Sequence, residues 1–189
     1  MLYIISGKFK GRKIPTIKDA DYRPSTGRFR ESLFSILGSG KFLKQNIIEN
    51  AKILDIFAGT GSLSFEAMSR GAKSAALVDI NKEYLNESRK FANKLEITES
   101  MEFLNYSAYE LPHTTNKYNL VFIDPPYDTG FPTDVLNNLV KKQWLDKNAI
   151  IILEIWKKID SEELDNLEII DQRTLGKTKM VIMEYNEKI

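Results

Sequence analysis

The chain has 189 residues, of which 42% are hydrophobic and none is cysteine. This length predicts one domain, or one domain with a small appendage. The missing cysteines exclude a disulfide framework, a thiol nucleophile and a cysteine zinc site. No apolar run approaches the roughly 20 residues that a membrane helix requires, and the N-terminus lacks the order of a signal peptide. We therefore expect a cytoplasmic protein with no membrane partner.

The N-terminal region is strongly basic although the net charge of the whole chain is only +1. Residues 1–30 carry eight Lys and Arg against two Asp, which gives this segment a charge of +6 and leaves −5 for the rest. Such segregation favours a basic arm that binds a polyanion, with a merely well-solvated terminus as the alternative. Phe9, Tyr22 and Phe29 stand among these charges, either as part of a nucleic-acid surface or as core anchors.

The apolar periodicity predicts an α/β fold. Residues 1–15 read as two short strands around Gly7 to Gly11, and a helix capped by Ser25 or Thr26 follows and ends at Gly38. The further predicted strands are 52–56, 74–79, 100–104, 118–124 and 149–155, and the further helices are 61–70, 82–95 and 132–142. This alternation predicts a parallel sheet covered by helices on both faces. The segments 167–170 and 180–183 around Gly176 predict a closing antiparallel hairpin.

A glycine-rich turn follows the strand at 52–56. Gly59 and Gly61 let the backbone turn tightly and approach a ligand closely. The pattern is neither the dinucleotide fingerprint nor a phosphate loop. Asp55 at the strand end would repel a pyrophosphate and favour a cationic ligand, such as one with an ammonium group and a sulfonium. Asp79, about 20 residues after the glycines, stands where an acidic side chain binds ribose hydroxyls in doubly wound folds, and Ile80 could pack on an adenine face.

The tetrapeptide Asp124-Pro125-Pro126-Tyr127 ends another apolar strand. The prolines stiffen the turn and remove backbone donors. Carbonyl oxygens and the Asp124 carboxylate are therefore left as acceptors for an exocyclic amino group. Tyr127 offers a ring face on which a base can stack. The alternative is a polar turn with a tyrosine lid.

Together, the glycine turn and the Asp-Pro-Pro-Tyr tetrapeptide resemble those of class I S-adenosylmethionine-dependent methyltransferases that methylate amino groups. The N-terminal motifs narrow the resemblance further. Two segments are similar to the N-terminal arm and the following helix of the bacterial RsmD family. They are Ile4-Ile5-Ser6-Gly7-Lys8-Phe9-Lys10-Gly11-Arg12-Lys13-Ile14-Pro15 and Arg23-Pro24-Ser25-Thr26-Gly27-Arg28-Phe29-Arg30-Glu31-Ser32-Leu33-Phe34. These motifs keep the family order and cover nearly the full chain.

The resemblance implies methylation of guanine N2 in small-subunit (16S) ribosomal RNA, in the assembled or assembling 30S particle. It implies a Rossmann-like sheet of seven mostly parallel strands with a C-terminal antiparallel hairpin. A basic RNA-binding hairpin and helix would occupy residues 1–40 and the methyltransferase domain residues 41–189. S-adenosylmethionine would be the methyl donor, no metal would be needed, and we expect a monomer.

The resemblance also assigns the site residues. The expected catalytic residues are Asp124, Pro125, Pro126 and Tyr127. The expected cofactor-binding residues are Asp55, Phe57, Ala58, Gly59, Thr60, Gly61, Asp79, Ile80 and Ser107. The expected RNA-binding residues are Lys10, Arg12, Lys13, Arg23, Arg28 and Arg30, with Arg23 closest to the reacting base. Many relatives have an acidic or amide residue at the adenine amino group, whereas this chain offers Ser107 or Asn105 there.

Two other functions remain open at this stage. An adenine-N6 DNA methyltransferase would use the same amine clamp, although 189 residues leave little room for a domain that reads DNA sequence. A non-catalytic RNA-binding module would use only the basic arm, and the intact tetrapeptide argues against it. His113, the chain's single histidine, reads as a loop residue.

Overall fold

The computed structural model describes residues 2–17, 27–40, 46–126 and 130–187. The helices are α1 (Gly27–Gly38), α2 (Ser62–Ser69), α3 (Lys82–Lys94) and α4 (Thr133–Lys141), with a 3-10 turn at Thr98–Ser100. The strands are β1 (Lys52–Ile56), β2 (Ser74–Val78), β3 (Met101–Leu104), β4 (Tyr118–Ile123), β5 (Leu145–Trp156), β6 (Leu167–Leu175) and β7 (Thr178–Tyr185).

The strands form one seven-stranded sheet in the order β3-β2-β1-β4-β5-β7-β6. Strands β1 to β5 pair in parallel, and β7 runs antiparallel between β5 and β6. The strand order reverses between β1 and β4, which creates a crevice at their carboxyl ends, the usual ligand site of open α/β sheets. The predicted fold class is confirmed.

The two faces of the sheet bury separate apolar clusters. One face packs under α1, α2, α3 and the N-terminal segment, and the other packs under α4 and Trp144. All eight residues of α2 are buried, whereas α3 and α4 each bury one stripe. Because residues 2–14 and α1 share the first cluster with the sheet, the N-terminal extension is packed onto the domain body.

Most predicted boundaries agree with the structure to within a residue or two, but three elements differ. Strand β5 begins four residues earlier than expected. Its first part, where Leu145 pairs with Tyr118 of β4, is separated from the rest by a shift of register between Tyr118 and Leu120. The C-terminal hairpin strands are about twice as long as their apolar cores. The first hairpin is held by one bridge, between Tyr3 and Lys13, instead of two full strands. No described helix is long and apolar enough to cross a membrane.

Candidate cofactor and target-base site

The turn after β1 requires glycine for steric as well as conformational reasons. Gly59 and Gly61 have φ of 55° and 78°, and the Gly61 amide donates to the Ala58 carbonyl at 2.8 Å. A Cβ on Gly61 would lie 2.6 Å from a Leu77 methyl carbon. The backbone therefore passes close to β2 and begins α2 with no side-chain cap. Phe57 also has a positive φ of 62°, a strained conformation for a bulky residue.

Asp55 is a buried carboxyl group beneath this turn. It is 2% exposed and accepts hydrogen bonds from the Ser64 amide at 3.3 Å and the Ser64 hydroxyl at 2.7 Å. Burial raises the pKa of Asp55 to about 7, the Ser64 bonds oppose the rise, and the charges of Asp124 and Asp79 add to it. Three predicted site carboxylates thus lie close enough to interact. A cationic ligand among them would relieve their repulsion.

Asp79, at the end of β2, fixes the glycine turn from the other side. Its carboxylate accepts from the Gly59 amide at 2.7 Å and the Asn81 amide at 2.8 Å. Burial raises the pKa of Asp79, and these two bonds oppose the rise. Each carboxylate oxygen has a second lone pair for a ligand hydroxyl. Ile80 follows with 76% of its surface exposed, so its side chain is available to a planar ligand.

The loop after β3 closes the same edge. Asn105 donates its amide hydrogens to the carbonyls of Asp79 at 2.9 Å and Ile80 at 2.8 Å. This side chain therefore holds the β2 end in place. The Ser107 hydroxyl accepts from the Tyr109 amide at 3.3 Å. The adenine amino group donates hydrogens and so needs an acceptor. The Asn105 bonds use only its side-chain nitrogen, so the Asn105 oxygen and the Ser107 hydroxyl both remain candidates for that role.

Sequence reasoning missed the aromatic rim of this loop. The rings of Tyr109 and Phe57 pack in a T-shaped arrangement, with centroids 6.0 Å apart, and Tyr109 is 49% exposed. Tyr106 is 40% exposed. The exposure of these tyrosines depends on the loop conformation, which the sequence does not reveal. The only local signal for an aromatic rim is the presence of two tyrosines after a predicted strand.

Asp124 stands directly after β4, beside the glycine turn. Its amide donates to the Ile56 carbonyl at 3.5 Å, so the ends of the two central strands are joined. Asp124 is half-buried, Pro125 is buried and Pro126 is exposed, while Tyr127 lies outside the described residues. Asp55, Asp79 and Asp124, the predicted site carboxylates, therefore lie at the crevice where the strand order reverses.

Glu154 is a further acidic residue beside Asp124 that sequence reasoning missed. Strands β4 and β5 pair Ile123 with Leu153, so Glu154 occupies the position next to Asp124 in the register. It is 2% exposed. Its only signal in the sequence is a carboxylate inside the aliphatic run of β5.

The predicted RNA-binding residues divide into two groups. Lys10, Arg12, Lys13 and Arg28 are exposed, whereas Arg23 lies outside the described residues. Arg30 is 3% exposed, donates to the Tyr3 carbonyl at 3.0 Å and lies 3.8 Å from the Glu66 carboxylate. The burial of its guanidinium beside Glu66 argues against the predicted phosphate contact of Arg30, which stays a prediction.

The sheet order and the glycine turn define a class I methyltransferase fold. The solved structure of the putative methyltransferase yhhF from Escherichia coli is similar, with a TM-score of 0.85, 28% identity and 99% of both chains covered. An RNA methyltransferase from Salinibacter ruber, solved in complex with S-adenosyl-L-homocysteine, shares the fold at a TM-score of 0.67 and 12% identity, with 88% of this chain and 96% of that chain covered.

The family model described as conserved hypothetical protein 95 matches residues 2–184. The ribosomal RNA small subunit methyltransferase D of Buchnera aphidicola is 39% identical over 158 residues, which cover 83% of this chain and 79% of that protein. The chain belongs to this family, the RsmD family that its motifs resemble.

Proposed function

We propose that the protein transfers a methyl group from S-adenosylmethionine to the exocyclic N2 of a guanine in small-subunit ribosomal RNA. The observation that carries the proposal is the meeting of the glycine turn and Asp124 at the ends of two adjacent strands. One crevice can therefore receive a methyl donor and an amino group side by side. The name of the Buchnera aphidicola relative supports ribosomal RNA as the polymer.

The residues at the glycine turn fit S-adenosylmethionine. Glycine at position 61, where a Cβ would collide with Leu77, keeps the turn tight against β2, and the short turn leaves room for the methionine part. Asp55 suits the positive charges of the ammonium and sulfonium, and Asp79 suits the ribose hydroxyls. Ile80 and Ser107 border the adenine. When bound, this donor supplies a methyl group already activated by its positive sulfur.

The side chains at β4 would orient the acceptor. The amino nitrogen of guanine is a poor nucleophile because its lone pair is delocalised into the ring. Asp124 and the Pro125 carbonyl would accept its two hydrogens, which turns the lone pair toward the donor. Such orientation can contribute as much as roughly 7–11 kcal/mol in favourable cases. Asp124 would also stabilise the positive charge that develops on nitrogen and receive the proton, and Tyr127 would stack on the base.

The RNA would be held mainly through its phosphates by Lys10, Arg12, Lys13 and Arg28. The target guanine must leave its stack, which costs a few kcal/mol and least at an irregular or single-stranded site. A folded 30S particle would present such a site, so we infer that the assembled or assembling particle is the substrate. A monomer in the cytoplasm is sufficient for this role.

Transfer of labelled methyl from S-adenosylmethionine tests the proposal. Small ribosomal subunits lacking the modification, naked small-subunit rRNA and duplex DNA are compared, with the Asp124→Ala variant as the control. Label in the subunits, less in naked rRNA, none in DNA and none with the variant is the expected result. Label in DNA instead, recovered as N6-methyladenine after digestion, would identify an adenine-N6 DNA methyltransferase, and label in none of the three would leave only a binding module.

A further inference from the structure

Helix α2 makes functional contacts at both of its ends. At its first turn, Ser64 holds Asp55 beneath the glycine turn. At its last turns, Glu66 and Ser69 hold the N-terminal hairpin, residues 2–14. We refer to the contacts of Glu66 and Ser69 with residues 5–9 as the hairpin clasp.

Glu66 supplies the charged half of the clasp. It is fully buried and accepts from the Ile5 amide at 2.7 Å and the Ser6 amide at 3.1 Å. Arg70 donates to it at 2.7 Å, and Arg30 lies 3.8 Å away. A buried carboxylate is strongly unfavourable unless such donors surround it. The hairpin backbone therefore supplies two of the donors that the buried Glu66 carboxylate requires.

Ser69 supplies the neutral half at the tip of the hairpin. Its hydroxyl accepts from the Phe9 amide at 2.9 Å and donates to the Ser6 carbonyl at 2.5 Å. Its own carbonyl accepts from the Lys8 amide at 2.7 Å. Gly7 has φ of +82°, and a Cβ there would lie 1.8 Å from the Ser69 carbonyl oxygen. The tip of the hairpin is thus in direct contact with the last turn of α2.

This contact lies at the amino ends of the strands, opposite the carboxyl ends at which the candidate active site lies. The turn after α2 bonds to residues that precede β1, through Asn50 to Gly71 and Lys73 to Ala51. An eight-residue helix spans about 12 Å, which separates the glycine turn from the exposed Lys8 and Lys10 at the tip. A phosphate bound at the tip would therefore lie well away from the methyl-transfer site. An RNA bound at both places needs a fixed distance between them.

We propose that Glu66 and Ser69 are positioning residues for the RNA substrate, which act by fixing the basic hairpin at a set distance from the methyl-transfer site. The proposal rests on the proposed function, since it assigns the RNA to the hairpin. The clasp contributes to recognition of RNA and leaves recognition of the methyl donor unchanged.

Two glycines of the hairpin provide a matched test. Gly7→Ala and Gly11→Ala both place a side chain at nearly the same positive φ, +82° and +81°, but a Cβ at Gly11 meets nothing within 4 Å. The backbone strain is therefore shared, and only Gly7→Ala pushes the hairpin away from Ser69. KM and kcat with small ribosomal subunits, binding of S-adenosylmethionine and melting temperature are measured for both variants.

Gly7→Ala is expected to raise KM for the subunits at least ten-fold above Gly11→Ala, a difference of about 1.4 kcal/mol. The kcat and the affinity for S-adenosylmethionine should stay within about two-fold of those of Gly11→Ala, because only the hairpin is displaced and the rest of the domain stays folded. Equal KM values for the two variants would overturn the proposal. So would a loss of S-adenosylmethionine affinity in Gly7→Ala as large as its rise in KM. Ser69→Ala introduces no clash and should give an intermediate KM, so the result does not depend on one variant folding.

Failure of the proposed function is separable from failure of this inference. Wild-type protein that transfers no methyl group to RNA would refute the function alone. Direct binding of labelled small-subunit rRNA by wild type, Gly7→Ala and Gly11→Ala would still test the clasp. Equal affinities for the three proteins would refute it.

Discussion

Asp55 is expected to make the affinity for S-adenosylmethionine depend on pH below about 7. Burial raises the pKa of this carboxyl group to about 7 in the free protein, so it is largely protonated at pH 6 and ionised at pH 8. A ligand that carries an ammonium and a sulfonium favours the ionised form. Binding at low pH must therefore expel a proton, and that requirement weakens the affinity.

The magnitude follows from the fraction of Asp55 that is ionised before binding. About one tenth of the molecules are ionised one unit below the pKa. The dissociation constant should accordingly rise about ten-fold between pH 8 and pH 6 and level off above pH 8. Calorimetry at several pH values measures the constant. Buffers that differ in ionisation enthalpy measure the proton released at pH 6.

The Asp55→Asn variant is the control for titration of the ligand's own amino group. It should bind more weakly at pH 8 and show a flatter pH profile than wild type. The same burial makes the ionised group unfavourable in the free folded protein, since its pKa there lies above the value of 3.8 for an exposed aspartate. The cost is absent below pH 3.8 and grows as pH rises to about 7, on the order of 4 kcal/mol in full. Asp55→Asn should therefore raise the melting temperature at pH 8. Parallel pH profiles for wild type and variant would refute the reasoning.

Three further outcomes are expected. Asp124→Ala should abolish methyl transfer and leave donor affinity within a few-fold by calorimetry; near-normal turnover would remove Asp124 from the mechanism. Arg12→Ala combined with Arg28→Ala should weaken RNA binding and reduce its salt slope by roughly one to two, and an unchanged slope would mean that the exposed cations are not the RNA surface. Arg30→Ala should instead lower the melting temperature by removing a buried partner of Glu66, with an unchanged salt slope; a reduced slope would restore Arg30 as a phosphate contact.

The sequence predicts the sheet well because its central strands are short apolar runs that end in acidic residues or turns. Asp79 and Asp124 each follow such a run and Asp55 is the last but one residue of β1, and parallel strands bring their carboxyl ends to one edge. The start of β5 could not be predicted in this way, because Asp146 to Asn148 are polar and extend the strand beyond its apolar part.

Arg30 and Glu66 show why the rest was not predicted. Arg30 lies on the helical stripe of Leu33, Phe34 and Leu37, yet its charge suggested an exposed role. Its partner is 36 residues away, and α2 is buried on every side, so no amphipathic pattern marks Glu66. A buried ion pair between distant helices depends on tertiary packing that local periodicity does not encode.

The identity of the methylated nucleoside tests the central claim most directly. Small ribosomal subunits lacking the modification are incubated with the protein and S-adenosylmethionine, and the rRNA is digested and analysed by mass. The proposed geometry predicts N2-methylguanosine at one site, formed by the wild type and not by Asp124→Ala. A methyl group on any other nucleoside, or none on the rRNA, would contradict it.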